Sequence, residues 1–268
     1  MHNHPHASGS RCRNIFVMGI IALALALLSP QAAAARAALE DTPTRSEGHF
    51  LRLEDVADSM RLLPAPPEPD SVEFQLDEAM YRQGISLRNT PAGDRAAQDA
   101  SNSPEQNAMS FSDALGLSIG PDTTPAIFAL ARKVMHDAGR LATYAAKRGY
   151  GRTRPFAHHG EATCKPAAQV TVNPNRSYPS GHSSQGWTLA LVLAEINPAR
   201  QVEILQRGLD LGQGRVICGY HWQSDVHAGR IVGAAIVARL HANEAFVREL
   251  AAAKEEFARL SRAQKPMD

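Results

Sequence analysis

Three short segments of the chain combine cationic side chains, histidines and glycines at spacings that could bind an anion and move protons. They run from Lys147 to Pro155, from Tyr178 to Ser184 and from Gly214 to Asp225. The Ser180-Gly181-His182 turn opens a helix-like segment, so its backbone N–H groups and the helix dipole favour an anion. We therefore expect an anion site at this turn.

Cations from the other two segments can complete such a site. Arg154 and Arg215 carry planar guanidinium groups that match tetrahedral oxyanions, and Lys147 adds a point charge on a flexible stem. Taken alone, Lys147 and Arg154 could equally form a solvated basic face, as most charge runs do. The prediction of a binding role depends on their occurrence together with the glycine-bearing turn.

A histidine and a carboxylate stand four residues apart in the third segment. If this segment is helical, His221 and Asp225 lie one above the other. Asp225 can then accept the Nδ1–H of the imidazole and leave Nε2 free to attack phosphorus. His182 offers a second imidazole, suited to protonating a leaving oxygen at mildly acid pH. The alternatives are a structural helix pair for His221 and Asp225, and a helix cap for His182.

Apolar periodicity indicates the elements that position these segments. Helices are predicted for Ser71 to Leu87, for Asp94 to Ala100 after a turn at Asn89 to Gly93, and from Thr124-Pro125 through Ala145. A polar loop is expected from Gly149 to Ser180, followed by a nearly all-apolar helix from Ser183 to Ile196 that suits a domain centre. Asn197-Pro198 opens a helix to about Gly212, and the last helices cover Ser224 to Leu260 with a break near His241 to Asn243. Because we find no strand-like alternation, the predicted fold is all-α, a single-domain helical bundle.

The N-terminal stretch is predicted to be a cleaved signal peptide over residues 1–35. Arg11 and Arg13 precede an apolar run from Ile15 to Leu28, and small alanines follow. This run is shorter than the roughly 20 residues of a transmembrane helix, which disfavours the alternative of an uncleaved anchor. Cleavage would leave a domain over residues 36–268, with 36–69 as an extended N-terminal arm. We expect a periplasmic or secreted protein without membrane association after cleavage.

Charge and cysteine content narrow the possible partners. The formal net charge is +1, and removal of Arg11 and Arg13, with no acid lost, makes it −1. This balance gives no support for nucleic-acid binding.

Cys12 lies in the predicted signal peptide, so Cys164 and Cys218 remain. In an oxidising compartment such a pair is usually a disulfide, and two buried free thiols are the alternative.

Together the three segments resemble a known enzyme superfamily. Their motifs, K-x6-R-P, P-S-G-H and R-x5-H-x3-D, resemble those of the acid phosphatase superfamily that also contains type 2 phosphatidate phosphatases and vanadium haloperoxidases. More narrowly, the sequence is similar to the bacterial class A non-specific acid phosphatases. The likeness extends over Leu62 to Pro67, Asp77 to Tyr81, Leu87 to Thr90 and Val216 to Val226. It therefore covers nearly the whole mature chain.

The resemblance implies a metal-independent acid phosphatase of broad range that acts through a phosphohistidine, with phosphotransfer to alcohols as a second outcome. By this resemblance His221 is the nucleophile, Asp225 orients it, and His182 is first the general acid and then the base. The residues that would hold the phosphoryl oxygens are Lys147, Arg154, Ser180, Gly181 and Arg215. The implied substrates are small-molecule phosphate esters such as nucleotides and sugar or aryl phosphates. No cofactor is implied, and we expect a homo-oligomer.

Some residues depart from this pattern. The family usually has serine before the last arginine, where this chain has Gly214. We expect that serine to brace a loop, so that Gly214 affects the placement of Arg215 more than the mechanism. His227 stands where many relatives have aspartate, and we expect it at the rim or surface. His158-His159 could suggest a metal site, but without a matching carboxylate cluster nearby we expect no metal ligation.

Three other functions fit the same anion site. Vanadate-dependent halide oxidation is disfavoured by the small domain and the closer class A likeness. Lipid phosphate hydrolysis is disfavoured because relatives that perform it usually span the membrane several times. A phosphate-binding module or degraded enzyme, with Gly214 as its lesion, should have lost His182, His221 or Asp225, and all three are present. Phosphomonoester hydrolysis is therefore the leading hypothesis.

Overall fold

Helices dominate the part of the chain that the computed structural model describes, residues 49–101 and 103–263. Within these ranges there are thirteen α-helices and no β-strand, which confirms the all-α prediction. The helices are α1 (Ser59–Leu62), α2 (Val72–Ser86), α3 (Pro91–Gln98), α4 (Pro104–Met109), α5 (Ser112–Leu115), α6 (Pro125–His136), α7 (Tyr144–Tyr150), α8 (Pro155–His159), α9 (Pro166–Gln169), α10 (Gly181–Ile196), α11 (Gln201–Ile217), α12 (Gln223–Leu240) and α13 (Glu244–Ala263). The predicted signal peptide, residues 1–35, and the arm up to residue 48 lie outside the described residues.

Local chemistry places several helix boundaries where the sequence predicts them. The side chain of Ser71 accepts the N–H of Phe74 at 3.1 Å and caps α2. Pro125 opens α6, since its fixed φ suits the first helical turn and its missing N–H has no partner there to lose. The break between α12 and α13 falls where it is predicted, and Asn243 caps α13 by accepting the N–H of Phe246 at 3.1 Å.

Other boundaries differ from the prediction. Helix α3 begins at Pro91, inside the predicted turn, and ends at Gln98. The predicted polar loop of residues 149–180 contains the short helices α8 and α9. Helix α11 continues past Gly212 to Ile217, so Gly214 and Arg215 lie on a helix. The low helix propensity of glycine is overridden there by packing, because Leu211, Val216 and Ile217 are buried.

The core is built around α10, which packs against α11 on one side and α12 on another. Leu189, Val192 and Leu193 of α10 are at most 1% exposed. Complete burial of such side chains stabilises the fold by about 1.5–3 kcal/mol each, before the cost of ordering the chain. Helix α6 also packs on α10 and on α13. The first turn of α10, which carries Ser180 and His182 at its start, is thereby held at the centre of the bundle.

Glycines let the neighbouring helices approach this first turn closely. A Cβ atom on Gly229 of α12 would lie 2.5 Å from the carbonyl oxygen of Ser180 and 2.9 Å from Cβ of Ser183. Gly229 therefore sets the distance between α12 and the Ser180 turn. A Cβ atom on Gly214 would meet Ala96 at 3.4 Å, an ordinary contact distance.

One disulfide joins Cys164 to Cys218, with the two Cα atoms 4.6 Å apart, which confirms the predicted pairing. The Cys164 N–H also donates to the Cys218 carbonyl at 3.1 Å. In the chain-entropy model, closing a loop of this length stabilises the fold by about 4 kcal/mol. The bridge ties the loop that follows α8 to the end of α11, just before His221.

Residues 49–69 contain a 3-10 turn at Leu53–Asp55 and the short helix α1, followed by prolines. This segment contacts the candidate site, because the Tyr178 hydroxyl donates to the Pro64 carbonyl at 2.9 Å.

No helix among the described residues has the length and apolar character needed to cross a membrane.

We predict opposite effects for alanine at the two glycines. Gly229→Ala should destabilise the protein by about 1–3 kcal/mol and lower turnover, because its methyl group would displace the Ser180 carbonyl. Gly214→Ala should stabilise by about 0.5–1 kcal/mol, since it removes a glycine from a helix where space exists. Urea denaturation and steady-state kinetics measure both effects. Equal behaviour of the two variants would contradict the packing argument.

Candidate active site

The Ser180 turn at the start of α10 forms one wall of the site. Ser180 is fully buried and caps the helix, its hydroxyl oxygen accepting the N–H of Ser183 at 3.3 Å. Its own N–H donates to the Asp225 carbonyl at 2.9 Å. Lys147 lies against the turn, with Cε 4.0 Å from the position a Cβ atom on Gly181 would take. A positive side chain and a helix N-terminus thus meet at one place.

His221 lies between α11 and α12 and is 2% exposed. Its Nδ1 is 3.3 Å from Oδ2 of Asp225, and its Nε2 is 2.8 Å from a guanidinium nitrogen (Nη1) of Arg154. Because a guanidinium can only donate, Nε2 accepts and Nδ1 carries the ring proton. Burial, together with Arg154 and Lys147, lowers the pKa of His221 well below its ordinary value. The ring is therefore neutral, with the Nε2 lone pair directed away from Asp225.

Asp225 is fixed by more partners than His221 alone. Its Oδ2 accepts the Ser177 hydroxyl at 2.5 Å and the Trp222 N–H at 2.9 Å, and its Oδ1 accepts Nη1 of Arg152 at 2.6 Å. Arg152 also bonds Oδ2 of Asp77 on α2 at 2.7 Å. The carboxylate that faces His221 thus lies at the centre of a buried network.

Arg154 is held largely by backbone carbonyls. Its Nε donates to Asn173 at 2.9 Å, Nη1 to Tyr220 at 2.9 Å and Nη2 to Arg176 at 2.9 Å. Lys147 donates to the same Arg176 carbonyl at 2.8 Å. Burial lowers the pKa of Arg154 to about 10. These bonds fix the guanidinium beside His221 and leave it few donors for a further ligand.

Arg215 differs in this respect. It is 2% exposed, and its Nε and Nη1 have no hydrogen-bond partner among the described residues. The guanidinium carbon stands 4.1 Å from the centre of the Tyr220 ring, a cation–π contact. Burial, then the nearby Arg154, lowers the pKa of Arg215 to about 9. A buried cation with unused donors is costly unless an anion joins it, so Arg215 has the chemistry of an oxyanion receptor.

His182, Lys147 and Gly181 are the partly exposed members of the group. Nε2 of His182 lies 2.8 Å from the Ser101 carbonyl, so it donates its proton there and leaves Nδ1 as the acceptor. Burial and Arg215 lower the pKa of His182 well below its ordinary value. Burial, then Arg154, likewise lowers the pKa of Lys147 well below its ordinary value. Since the other members are buried, we infer that solvent and ligands reach the site past His182, Lys147 and Gly181.

The structure brings together all eight residues that the sequence marks as catalytic or phosphate-binding: Lys147, Arg154, Ser180, Gly181, His182, Arg215, His221 and Asp225. Sequence reasoning missed the residues that position them. Arg152 stands in the first segment beside Arg154, and Ser177 directly precedes the second, so both could have been flagged. Asp77 appeared only as part of a class likeness, and Ser101 carried no signal because it acts through its carbonyl.

Two residues that depart from the family pattern lie outside this cluster. Gly214 is in the last turn of α11, where its carbonyl accepts the Cys218 N–H at 2.9 Å, so this position lies on a helix and not in a loop. His227 is exposed on α12, and its Nε2 is 2.9 Å from Nε2 of Gln223.

His158 and His159 do have a carboxylate nearby, contrary to the sequence expectation. Glu78 of α2 lies 3.1 Å from His159 Nε2 and 3.7 Å from His158 Nε2, measured from Oε1. The sequence could not show this because α2 and α8 are about 80 residues apart and meet only in the fold.

Comparison with known proteins agrees with this architecture. The profile of the PAP2 superfamily matches residues 126–246, which span α6 to the start of α13. The chain is 49% identical over 222 residues to the non-specific acid phosphatase of Providencia stuartii, covering 83% of this chain and 90% of that protein. It is 43% identical over 203 residues to the non-specific acid phosphatase of Salmonella typhimurium, covering 76% and 81% of the two chains.

A more distant relative is the acid phosphatase of Zymomonas mobilis, 31% identical over 204 residues and 75% of each chain. The matched fold and the phosphate-type anion site define a PAP2-superfamily protein. Within that superfamily, the chain belongs to the non-specific acid phosphatases. The family and the enzyme class expected from the three motifs are thereby confirmed.

We predict that a tetrahedral dianion takes up protons when it binds. In the free protein burial, then Arg215, holds the pKa of His182 well below its ordinary value, and a dianion beside Arg215 should raise that pKa. Sulfate affinity should therefore increase as the pH falls. Calorimetry in two buffers of different ionisation enthalpy measures the uptake, and His182→Gln should remove it. Identical heats in both buffers for the unchanged protein would contradict the prediction.

Proposed function

We propose that the protein hydrolyses phosphate monoesters of broad range through a phosphohistidine on His221, without a metal ion, and transfers the phosphoryl group to alcohols as a second outcome. The observation that carries this proposal is the pair of buried, unpartnered donors of Arg215 beside a neutral His221. A phosphoryl dianion would satisfy those donors and present phosphorus to Nε2. Membership of the acid phosphatase family supports the same reaction.

Binding would begin with the oxygens of the phosphoryl group. Arg215 offers Nε and Nη1 as a fork, Lys147 offers a point charge, and the Ser180 turn offers the N–H groups of Gly181 and His182. The Nη1 group of Arg154 that now donates to His221 would turn to an oxygen of the substrate. That exchange frees the Nε2 lone pair when the substrate is present.

In the first step Nε2 of His221 forms a bond to phosphorus while the bond between phosphorus and the ester oxygen breaks. His182, which takes up a proton at Nδ1 when the dianion binds, gives that proton to the leaving oxygen while its Nε2–H remains on the Ser101 carbonyl. Positive charge develops on the His221 ring as the P–N bond forms. Asp225, bonded to Nδ1–H, stabilises that charge and holds the tautomer.

In the second step a water molecule loses a proton to Nδ1 of His182 and attacks phosphorus. The P–N bond breaks, inorganic phosphate leaves, and His182 has regained the proton it gave. An alcohol in place of water gives transfer instead of hydrolysis. The partial exposure of His182 supports this role, because leaving groups and acceptors of many shapes can reach it from solvent.

Three cations and a helix N-terminus supply the charge stabilisation that a metal ion supplies in other phosphatases. We propose small phosphate esters as substrates on this basis, including nucleotides and sugar or aryl phosphates. The predicted signal peptide over residues 1–35 supports action in the periplasm or outside the cell. A homo-oligomer remains our expectation.

The role assignment predicts different kinetics for the two histidines. His221→Ala should abolish both activity and a phosphoenzyme trapped by acid quench from labelled substrate. His182→Ala should reduce the rate most for esters with poor leaving groups, because an activated aryl phosphate needs less proton donation. Asp225→Asn should lower the rate by about 10⁴-fold, if this histidine behaves like other oriented histidines.

Peptide mapping at alkaline pH, where phosphohistidine survives, locates the label. Label on His182, or equal trapping in His221→Ala, would overturn the assignment of nucleophile. His241→Ala changes an exposed histidine on the far end of α12 and serves as the matched control, with unchanged activity expected.

We further predict that activity toward a simple aryl phosphate survives exhaustive dialysis against EDTA and is inhibited by vanadate. Vanadate adopts a five-coordinate form that resembles the in-line transition state, and such analogues bind far more tightly than substrate. Steady-state assays before and after dialysis test this. Loss of activity that a divalent ion restores would refute the metal-independent mechanism.

A further inference from the structure

We propose that Glu78, His158 and His159 form a binding site for a divalent transition metal ion, zinc foremost, separate from the phosphate site. One ligand atom of each side chain lies within 4.8 Å of the other two. Two imidazoles and one carboxylate are a donor set that suits zinc and its neighbours in the first transition row.

The distances match a shared metal ion. Ligand atoms bound at about 2.0–2.2 Å to a tetrahedral ion are about 3.4 Å from each other. Oε1 of Glu78 is 3.1 Å from Nε2 of His159 and 3.7 Å from Nε2 of His158. These two separations lie on either side of that value, and the ligand atoms of the two histidines lie within 4.8 Å of each other, so the side chains would close around an ion by rotation.

A second observation points to a ligand. Oε1 of Glu78 and Nε2 of His159 are both buried, and neither has a hydrogen-bond partner among the described residues. At 3.1 Å they are close enough to bond, yet they do not point at each other. Two ligands of one metal ion lie side by side in this way once the ring proton has left Nε2, because each then directs a lone pair at the ion. Without an ion the two atoms would leave polar groups unsatisfied, which is costly.

Aromatic packing fixes the two imidazole rings in advance. His159 stacks on Tyr81 with ring centres 4.6 Å apart, and His158 meets Phe74 edge-on at 5.7 Å. Both histidines also contact Trp222. Burial lowers the pKa of His159, which favours the neutral form that binds metals. His158 is exposed, so an ion can enter from its side and keep a water ligand there.

Arg82 opposes binding and gives the proposal a distinctive consequence. Its Nη2 is 3.3 Å from Nδ1 of His159, and its Nη1 is 3.1 Å from a carboxylate oxygen of Glu161. A metal on Nε2 requires the ring proton on Nδ1, where it would face the guanidinium. Arg82 is about half exposed and can move away. Its replacement should therefore strengthen metal binding and let Glu161 accept the Nδ1 proton, as carboxylates do behind metal-bound histidines.

The test is titration of the untagged, metal-free protein with Zn²⁺ by calorimetry and with Co²⁺ by its visible absorption. We expect one metal site, and its occupancy should raise the melting temperature of the protein. Glu78→Gln or His159→Ala should weaken metal affinity by about 10-fold or more, and Arg82→Gln should increase it. His241→Ala, which alters another histidine paired with a carboxylate, should bind as the unchanged protein does.

His2, His4 and His6 lie in the predicted signal peptide, and where they are retained they are common to every variant, so any site that they form cannot produce the difference. Circular dichroism of each variant separates loss of binding from loss of folding. Equal metal affinity in the unchanged protein, Glu78→Gln and His159→Ala would overturn the proposal. Because these readouts do not use phosphatase activity, they are independent of the proposed reaction.

Discussion

The arrangement of the site depends on one carboxylate, Asp225, which has no exposed surface. Four donors from separate parts of the chain converge on its two oxygens: Arg152, Ser177, His221 and the Trp222 N–H. Its backbone carbonyl accepts the N–H of Ser180, so the same residue also anchors the anion-binding turn. A buried carboxylate is stable only when its lone pairs are satisfied. The requirement that Asp225 be satisfied therefore fixes His221, the Ser180 turn and the loop before α8 relative to one another.

A second constraint comes from the buried cations around His221. Arg154 and Arg215 are almost fully buried. The charge of Asp225 attracts Arg154 and Lys147, but its carboxylate is already bonded to Arg152. An ion held in a low-dielectric interior costs several kcal/mol, which the rest of the fold has to offset. The apolar helices α10, α11 and α12 and the disulfide supply rigid support at this point. The buried cations are thus already in place for the dianion that we propose, and the one exchange that binding requires is that of Arg154 Nη1 from His221 to the substrate.

How much of this could be predicted from sequence depended on whether the signal was local. Helices α2, α6, α10 and α12 follow from apolar periodicity and caps, because both lie within a few residues. The helix predicted from Thr124-Pro125 through Ala145 is wrong beyond His136, where a π-helical segment at Asp137–Leu141 interrupts it. The cluster of His182, His221, Asp225 and the cations follows from three motifs. The role of Arg152 could not be read in the same way, since its significance comes from Asp77, a residue 75 positions away. The continuation of α11 beyond Gly212 was missed because a glycine suggests a helix end. The close approach of α10 explains why a glycine stands at position 212.

Helix α2 links the catalytic network to the proposed metal site, and its geometry explains how the two can remain independent. Asp77 and Glu78 are adjacent, so their side chains leave the helix about 100° apart. Asp77 points to Arg152 and also accepts the Ser224 N–H at 2.8 Å and its hydroxyl at 2.5 Å. Glu78 points instead to α8, with its Oε1 near His158 and His159. Because Asp77 is held by three bonds that do not involve Glu78, an ion on Glu78 would join α2 to α8 without altering the bonds of Asp77. The effect of the metal would then fall on the stability of this helix pair, while Asp225 keeps its bonds to Arg152 and His221.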